Sequence, residues 1–272
     1  MSLSRLITNL FLFIYKCMNQ IGLLTWPFSQ AIFVKSYFMY KNYCEDAYAK
    51  LVKNYPDIFR QGHILDIGAN IGYTAYVFST VLKSPYQIFA FEPELKNLNI
   101  LKKVAKNHGF ENNIVVVDAA IGDQEAEVFL WKNKSNPADH RVLTDEFRKQ
   151  LKNVHVQKTP LITIDGFLSQ NNILGSISFI KIDVQGYELA VCQGMQETLL
   201  ANPQCVIAFE YSPHALKTLG FHPDKLIHFF QDQKYILYKL NKNGVLTRLE
   251  NGMLHIPKEN YFDIVCSKTS LI

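Results

Sequence analysis

The 272-residue sequence has few cysteines, and neither its cysteines nor its histidines form closely spaced pairs. These absences exclude two classes of protein. Its five cysteines include no C-x-x-C pair, and its eight histidines form no H-x-H or H-x-x-x-H pattern. A disulfide-stapled secreted domain and a zinc site are therefore not expected. Most of the cysteines have apolar neighbours, so we interpret them as buried, reduced thiols of a cytoplasmic protein. They are Cys17, Cys44, Cys192, Cys205 and Cys266.

The chain also lacks an excess of charge of one sign. Only 19% of its residues are charged, and 28 Lys and Arg against 24 Asp and Glu give a net charge of +4. No basic block is longer than Lys102-Lys103, so nucleic acid is not indicated as a partner. The hydrophobic content of 48% is enough for a large buried core and excludes intrinsic disorder.

Residues 1–57 are rich in aromatic side chains and are expected to form a helical N-terminal extension. Apolar residues recur at steps of three and four over residues 3–17, which is typical of an amphipathic helix. The longest apolar run there, residues 10–15, is too short to span a bilayer, which takes about 20 residues. Lys16 and Asn19 stand where a signal-peptide cleavage site would have small residues, so export is not expected. Two interpretations stay open: a helical layer on the main domain or on a second subunit, and a surface resting on a membrane near a lipid-linked substrate.

Residues 58–272 alternate short apolar strands with helical stretches. This alternation predicts an α/β, Rossmann-like, doubly wound sheet of seven mostly parallel strands with right-handed crossovers. Residues 261–267 are expected to add an antiparallel C-terminal strand beside a hairpin at residues 235–249. Residues 132–159 are predicted to form a polar insertion. Strand candidates are residues 63–67, 87–92, 114–119, 179–183 and 205–210, and helix candidates are residues 72–82, 95–108 and 189–200.

A turn with two glycines follows the first strand candidate. The segment LDIGANIG at residues 65–72 leads into a helix, where glycine lets a ligand approach the backbone and free amides attract a negative group. A dinucleotide fingerprint G-x-G-x-x-G starting at Gly68 would need two further glycines, but the chain has Asn70 and Tyr73 there. A nicotinamide or flavin dinucleotide is therefore not expected.

Two acidic residues accompany this turn. Glu92 ends the second strand candidate twenty residues past Gly72, where an acid commonly accepts both hydroxyls of a ribose. Asp66 lies in the first strand and can approach an ammonium group. Carboxylates also favour a nearby sulfonium cation. These residues predict a nucleoside ligand that carries an amino acid in place of a pyrophosphate.

Four motifs follow one another along the chain: LDIGANIG at residues 65–72, FEP at 91–93, DAAIGD at 118–123 and IKIDVQGYE at 180–188. Over about residues 58–212 they resemble the FkbM-type methyltransferases. The resemblance implies a Rossmann-like O-methyltransferase that uses S-adenosylmethionine (SAM). The cofactor-binding residues implied in this way are Asp66, Gly68, Asn70 and Gly72 at the methionine part, Glu92 at the ribose, and Asp118 and Ala120 at the adenine.

Candidates for the chemistry lie at the strand ends and in the polar insertion. Asp183 ends a strand at the carboxyl edge, where open α/β sheets bind ligands, so it is expected to orient the acceptor hydroxyl or to accept its proton. Glu210 ends the next strand and is a second candidate base, and His140 is a third. Arg141 and Glu188 are expected to contact the substrate.

One position departs from the resembled family, which usually has Glu where this chain has Gln185. The change removes a carboxylate but keeps a hydrogen-bonding side chain of the same shape. We expect a structural role here, because Asp183 and Glu188 remain. No metal site is predicted, although Asp183, Glu188 and Glu210 are hard oxygen ligands.

The expected function is O-methylation of a hydroxyl on a sugar, glycan or secondary metabolite. Two alternatives stay open: N-methylation of an amine on the same scaffold, and a non-catalytic module that keeps the fold or the cofactor and acts through its aromatic N-terminal surface. The expected partner is a small-molecule or glycan acceptor. The N-terminal helices are a possible site for homo-oligomer formation or for peripheral contact with a membrane. The expected location is cytoplasmic or membrane-peripheral.

Overall fold

The computed structural model describes residues 26–41, 47–133, 136, 138–152, 154–250 and 261–272. The amphipathic helix predicted before residue 26 lies outside these residues. The strands are β1 (His63–Ile67), β2 (Ile88–Phe91), β3 (Ile114–Val117), β4 (Ala120–Ile121), β5 (Ala126–Trp131), β6 (Arg141–Val142), β7 (Val156–Ile162), β8 (Ile177–Ile182), β9 (Val206–Tyr211), β10 (Ile236–Leu240), β11 (Leu246–Arg248) and β12 (Phe262–Ser267). The helices are α1 (Pro27–Tyr40), α2 (Tyr48–Asn54), α3 (Tyr73–Ser79), α4 (Leu95–Asn107), α5 (Asp145–Arg148), α6 (Ile164–Gln170), α7 (Glu188–Gln193), α8 (Gln196–Ala201), α9 (Pro213–Thr218) and α10 (Pro223–Asp232), with a 3-10 turn at Pro56–Phe59.

The main sheet has eight strands in the order β11-β10-β12-β9-β8-β1-β2-β3. Strands β3, β2, β1, β8 and β9 pair in parallel, whereas β12 runs antiparallel to both β9 and β10. The predicted α/β class and mostly parallel sheet are confirmed. The strand count of seven is corrected to eight, because the second arm of the C-terminal hairpin also joins the sheet as β11.

Helices cover both faces of the main sheet, as a doubly wound fold requires. Neighbouring strand residues point to opposite faces, so Ile64 packs in one core cluster and Leu65 in the other. The first cluster is closed by α2, α3 and α4, and the second by α6, α7, α8 and α10. The central strands are buried on both sides, which explains their runs of consecutive apolar residues.

A second sheet lies within and beside the segment predicted only as a polar insertion. Its four strands have the order β4-β7-β5-β6, and β5 pairs antiparallel with β7 over six residue pairs. The sequence pattern did not show it because these strands are half exposed: the six residues of β5 include only one that is buried. Arg141 lies in β6 of this sheet.

The helix predicted over residues 189–200 is two helices, α7 and α8. They are separated at Gly194, where an added Cβ would lie 1.9 Å from the carbonyl oxygen of Gly122. The backbone of the second sheet therefore approaches too closely for any other residue, and the chain bends there.

At the N-terminal end, α1 packs on the main domain. The ring of Phe38 meets Tyr73 edge-on at 5.1 Å between centroids and stacks on His108 at 5.5 Å. Within the described ranges no helix is long and apolar enough to cross a membrane.

Candidate functional site

A cavity of about 770 Å³ opens at the carboxyl ends of β1, β2, β8 and β9. Strand β1 lies between β2 and β8, so the strand order reverses at this point of the parallel sheet. Open α/β sheets bind their ligands at such a reversal. The lining comes from these strand ends, from the second sheet and from the inner side of α1.

The glycine turn forms one wall of this cavity. Gly68, Asn70 and Gly72 all have left-handed backbone angles, with φ of 79°, 50° and 86°. A Cβ on Gly68 would lie 1.9 Å from the carbonyl oxygen of Asp183, so only glycine fits between the ends of β1 and β8. Asn70 adopts this conformation more readily than most other residues. The turn is therefore held in one shape by its own residues.

Glu92 connects the end of β2 to the glycine turn. One carboxylate oxygen accepts a hydrogen bond from the amide of Asn70 at 2.8 Å, and the other accepts from the amide of Glu94 at 2.9 Å. The side chain is buried, and chiefly this burial raises its pKa to about 7. A carboxylate has about four acceptor positions, so each oxygen keeps one for a ligand.

Lys181 is a buried cation in β8 that the sequence reasoning did not select. Its ammonium donates to the carbonyl oxygen of Gly68 at 3.0 Å and lies 3.3 Å from Asp66 and 3.6 Å from Asp183. Burial alone would lower its pKa, but the carboxylates of Asp66 and Asp183 outweigh burial and raise it. A lysine between isoleucines in a buried strand was the signal available in the sequence.

Asp183 and Glu210 lie together at the cavity, joined by Gln185. The amide nitrogen of Gln185 donates to Asp183 at 2.7 Å and reaches Glu210 at 3.3 Å. Burial, together with the negative charge of Asp183, raises the pKa of Glu210 well above its usual range. Asp263 of β12 lines the same end of the cavity and was also missed by the sequence reasoning. Burial raises its pKa to about 6, and the Tyr48 hydroxyl donates to it at 3.1 Å.

His140 and Arg141 line the cavity from the second sheet. The Nδ1 atom of His140 accepts from the amide of Asn133 at 3.1 Å, and burial lowers the pKa of the ring. The neutral ring therefore carries its proton on Nε2 and is a hydrogen-bond donor there. Arg141 is held by Asp139 at 2.6 Å and lies over the ring of Phe147 at 5.7 Å.

Four residues selected from the sequence lie outside the lining of the cavity. Asp66 is fully buried and accepts from the Thr74 hydroxyl at 2.6 Å. Glu188 is buried below the turn after β8, where its Oε1 accepts from the amides of residues 184 and 186. Gly72 is the N-cap of α3, and Asp118 is exposed to solvent. Asp66, Glu188 and Gly72 therefore support the structure around the cavity, whereas Asp118 does not line it. The residues that face the cavity are Gly68, Asn70, Glu92, Ala120, His140, Arg141, Asp183 and Glu210.

Comparison with known proteins identifies the family. The model of the methyltransferase FkbM domain matches residues 66–237, which is more than half of the 272 residues. The chain belongs to the FkbM methyltransferase family. This confirms the resemblance of the four motifs, and SAM is the methyl donor of the family.

A solved structure of another FkbM methyltransferase agrees with this fold. The methyltransferase FkbM from Methylobacillus flagellatus KT is 17% identical with a TM-score of 0.50; the match covers 84% of this chain and 50% of that one. The O-methyltransferase TomG from Streptomyces achromogenes, crystallised with SAM, is 11% identical with a TM-score of 0.44, covering 81% of this chain and 79% of that one. The chain thus spans about half the length of the Methylobacillus protein. No curated protein matches it.

The residues of this FkbM cavity fit SAM. The volume of about 770 Å³ lies in the range of small-molecule sites. Glu92 has an acceptor position left on each oxygen, which would suit two ribose hydroxyls, and Ala120, Ile121 and Val142 form an apolar part of the wall that would suit an adenine. The carboxyl groups of Asp183 and Glu210 face the same cavity. Among the described residues, no group of three or more His, Cys, Asp or Glu is arranged to hold a metal ion.

Proposed function

We propose that this FkbM family member is a SAM-dependent O-methyltransferase that acts on a hydroxyl of a sugar, glycan or similar secondary metabolite. The observation that carries the proposal is the placement of two different carboxylate sites in one cavity. Glu92 stands at the glycine turn, and Asp183 and Glu210 stand together at the ends of β8 and β9. One site suits the ribose of the donor and the other suits an acceptor hydroxyl.

SAM, when bound, supplies a methyl group on a positively charged sulfur, which makes the sulfur a good leaving group. The contribution of the chain is to hold the acceptor oxygen in line with this group, because fixed orientation removes most of the cost of a bimolecular encounter. The glycine turn and Glu92 fix the donor side. Asp183 and Glu210 receive the hydrogen of the acceptor hydroxyl, which directs an oxygen lone pair towards the methyl group.

Glu210 is the better candidate for accepting the proton. Burial and the charge of Asp183 raise the pKa of Glu210, which makes its carboxylate a stronger base than an ordinary surface carboxylate. Asp183 pairs with Lys181 and is suited to orienting the hydroxyl. His140 is a hydrogen-bond donor at Nε2 in this arrangement. We therefore assign His140 and Arg141 to donating hydrogen bonds to an oxygen of the substrate.

Gln185 has a role of its own in this arrangement. A glutamate at this position would place three carboxylates within hydrogen-bond distance of one another, with Lys181 as the neighbouring cation. The amide instead donates to Asp183 and Glu210 and keeps them together. This contact supports an active site over a scaffold that has lost its chemistry. Gln185→Glu is expected to shift the pH profile of methyl transfer to higher pH, because each added negative charge raises the pKa of Glu210 further.

Calorimetry with SAM and with its demethylated product tests the donor site. We expect both to bind the full chain, and Gly68→Val and Glu92→Ala to abolish binding. A thermal melt of each variant separates loss of the site from loss of the fold. If neither ligand binds a folded wild-type chain, the activity is refuted and the non-catalytic module is favoured.

Isotope-labelled SAM tests the acceptor side. Labelled methyl is followed into a cell extract, and mass spectrometry of the product identifies the atom that carries it. Asp183→Ala and Glu210→Gln are expected to lower transfer by at least about 100-fold while SAM binding is retained. Label on nitrogen would replace O-methylation by N-methylation, and unchanged transfer in both variants would remove the two carboxylates from the mechanism.

The free thiols of Cys192, Cys205 and Cys266 support a reducing, cytoplasmic compartment.

A further inference from the structure

Helix α1 is apolar on two sides, and among the residues that the structure describes only one of these sides is covered. Phe33 and Phe38 are buried, and Phe38 belongs to a core cluster of the main domain. On the other side, Phe28 is 79% exposed, Ile32 is 51% exposed and Met39 is 56% exposed. With exposed Lys35 they follow the spacing i, i+4, i+7, i+11, which places all four along one face of the helix. We call residues 28, 32, 35 and 39 the outer stripe.

The excess positive charge of the chain lies in the same region. Residues 1–44 contain four of the 28 Lys and Arg, namely Arg5, Lys16, Lys35 and Lys41, and none of the 24 Asp and Glu. The remainder therefore has 24 residues of each sign and no net charge. The whole net charge of +4 belongs to the segment that also contains the outer stripe.

We propose that the outer stripe binds the surface of an anionic lipid bilayer. Exposed apolar side chains with a cation among them are suited to the boundary between lipid tails and headgroups, where a lysine extends its ammonium towards phosphate. Trp26, 70% exposed at the start of α1, is of the residue type that concentrates at this boundary. The absence of acidic residues up to position 44 removes the repulsion that an anionic surface would otherwise meet.

Two other partners could cover the outer stripe: a second copy of the chain, and the first 25 residues of the same chain. The distribution of charge argues against both. In a symmetric dimer built on α1, Lys35 would lie close to its own copy near the two-fold axis, and like charges oppose such a contact. The first 25 residues of the chain carry Arg5 and Lys16 without an acid, so they offer Lys35 no opposite charge either. An anionic lipid surface complements all these cations at once.

The contact would bring the membrane close to the cavity. The inner side of α1 lines the cavity through Phe33, Tyr37 and Tyr40. A helix with its side chains is about 10–12 Å across, so only this thickness separates the lipid surface from the cavity. An acceptor carried on a lipid headgroup would be presented at this distance.

Vesicle sedimentation with the full chain tests the proposal. We expect binding to vesicles of phosphatidylcholine mixed with phosphatidylglycerol, weakening as salt is raised, and much weaker binding to phosphatidylcholine alone. Phe28→Ser with Ile32→Ser is expected to weaken binding at least about tenfold through the lost apolar area. Lys35→Glu is expected to weaken it about 25-fold, since each unit of charge at the surface is worth about fivefold.

The matched control is Leu200→Ser on α8. Leu200 is 72% exposed, but its helix packs on the core cluster of the opposite sheet face. This variant is expected to bind vesicles like the wild type. Circular dichroism and SAM binding show whether each variant remains folded. Equal vesicle binding by the stripe variants and the control would overturn the proposal. It would also be overturned if sedimentation velocity showed a dimer that does not bind vesicles and that dissociates when Phe28→Ser is combined with Ile32→Ser.

Discussion

Replacing Lys181 by methionine removes the cation that holds the ends of β1 and β8 together. In the native structure the ammonium contacts the carbonyl oxygen of Gly68 at 3.0 Å, Asp66 at 3.3 Å and Asp183 at 3.6 Å. Asp66 is fully buried, and after the change the hydroxyl of Thr74 is the one remaining hydrogen-bond donor to its carboxylate among the contacts described above. Methionine has nearly the length of lysine, so the change removes charge with little change in volume.

The expected loss is about 3–5 kcal/mol in the free energy of unfolding, because removing one partner of a buried pair leaves an uncompensated charge. Native domains are stable by about 5–15 kcal/mol, so this loss is a large fraction of the total. Urea unfolding followed by far-ultraviolet circular dichroism measures it as a lower midpoint at unchanged slope.

A double variant distinguishes charge from packing. Lys181→Met combined with Asp66→Asn leaves no unpaired carboxylate at residue 66, and we expect it to recover at least about 2 kcal/mol relative to Lys181→Met alone. A loss below about 1 kcal/mol in the single variant, or additive losses in the double variant, would refute the assignment of Lys181 as the organising charge.

Three further predictions concern the turn and the buried carboxyls. Gly68→Ala is expected to lower the free energy of unfolding by about 2–5 kcal/mol, because its Cβ would collide with Asp183. Gly109 also has a left-handed φ, but a Cβ there would have nothing within 4 Å, so Gly109→Ala is expected to cost only about 1–2 kcal/mol. Thermal melts compare the two variants. SAM affinity is expected to increase with pH up to about 7, where Glu92 ionises to accept the ribose hydroxyls, and calorimetry on Glu92→Gln should show no such slope. Burial raises the pKa of Glu188 to about 7, so the native state holds this proton more tightly than the unfolded state and stability falls as pH rises from about 4.5 to 7. Glu188→Gln is therefore expected to be more stable than the wild type by up to about 3 kcal/mol at pH 8 in urea unfolding, and equal stability would contradict this.

Much of the fold could be read from local patterns. The apolar runs of β2, β3 and β9 indicated strands covered on both faces, and their order along the chain indicated the parallel sheet. The second sheet was not found because β5 is mostly exposed and β6 has only two residues, so neither has the pattern of a buried strand. Likewise, the break between α7 and α8 depends on the nearby backbone of Gly122, which is 72 residues away in the chain.

The candidate site was predictable where one segment contains its own chemistry. The glycine turn and Glu92 lie in motifs whose spacing already indicates a nucleoside ligand. Lys181 and Asp263 were missed because a charged residue within an apolar strand acquires its partners only when other strands pair beside it. Asp66 and Glu188 were placed with the ligand because their positions in the motifs do not reveal which way a buried carboxylate turns.

The sequence by itself determined the α/β sheet, the glycine turn after its first strand and the acid after its second strand, because strand periodicity and turn composition are local properties of the chain. The cofactor was implied by the resemblance of four motifs to the FkbM-type methyltransferases. Only the tertiary structure decided which polar groups come into contact. Lys181 contacts Asp66 and the carbonyl oxygen of Gly68, and the amide of Gln185 contacts Asp183 and Glu210. The physical reason is that the strength of an electrostatic contact depends on distance and burial, and both are set by the packing of segments far apart in the chain.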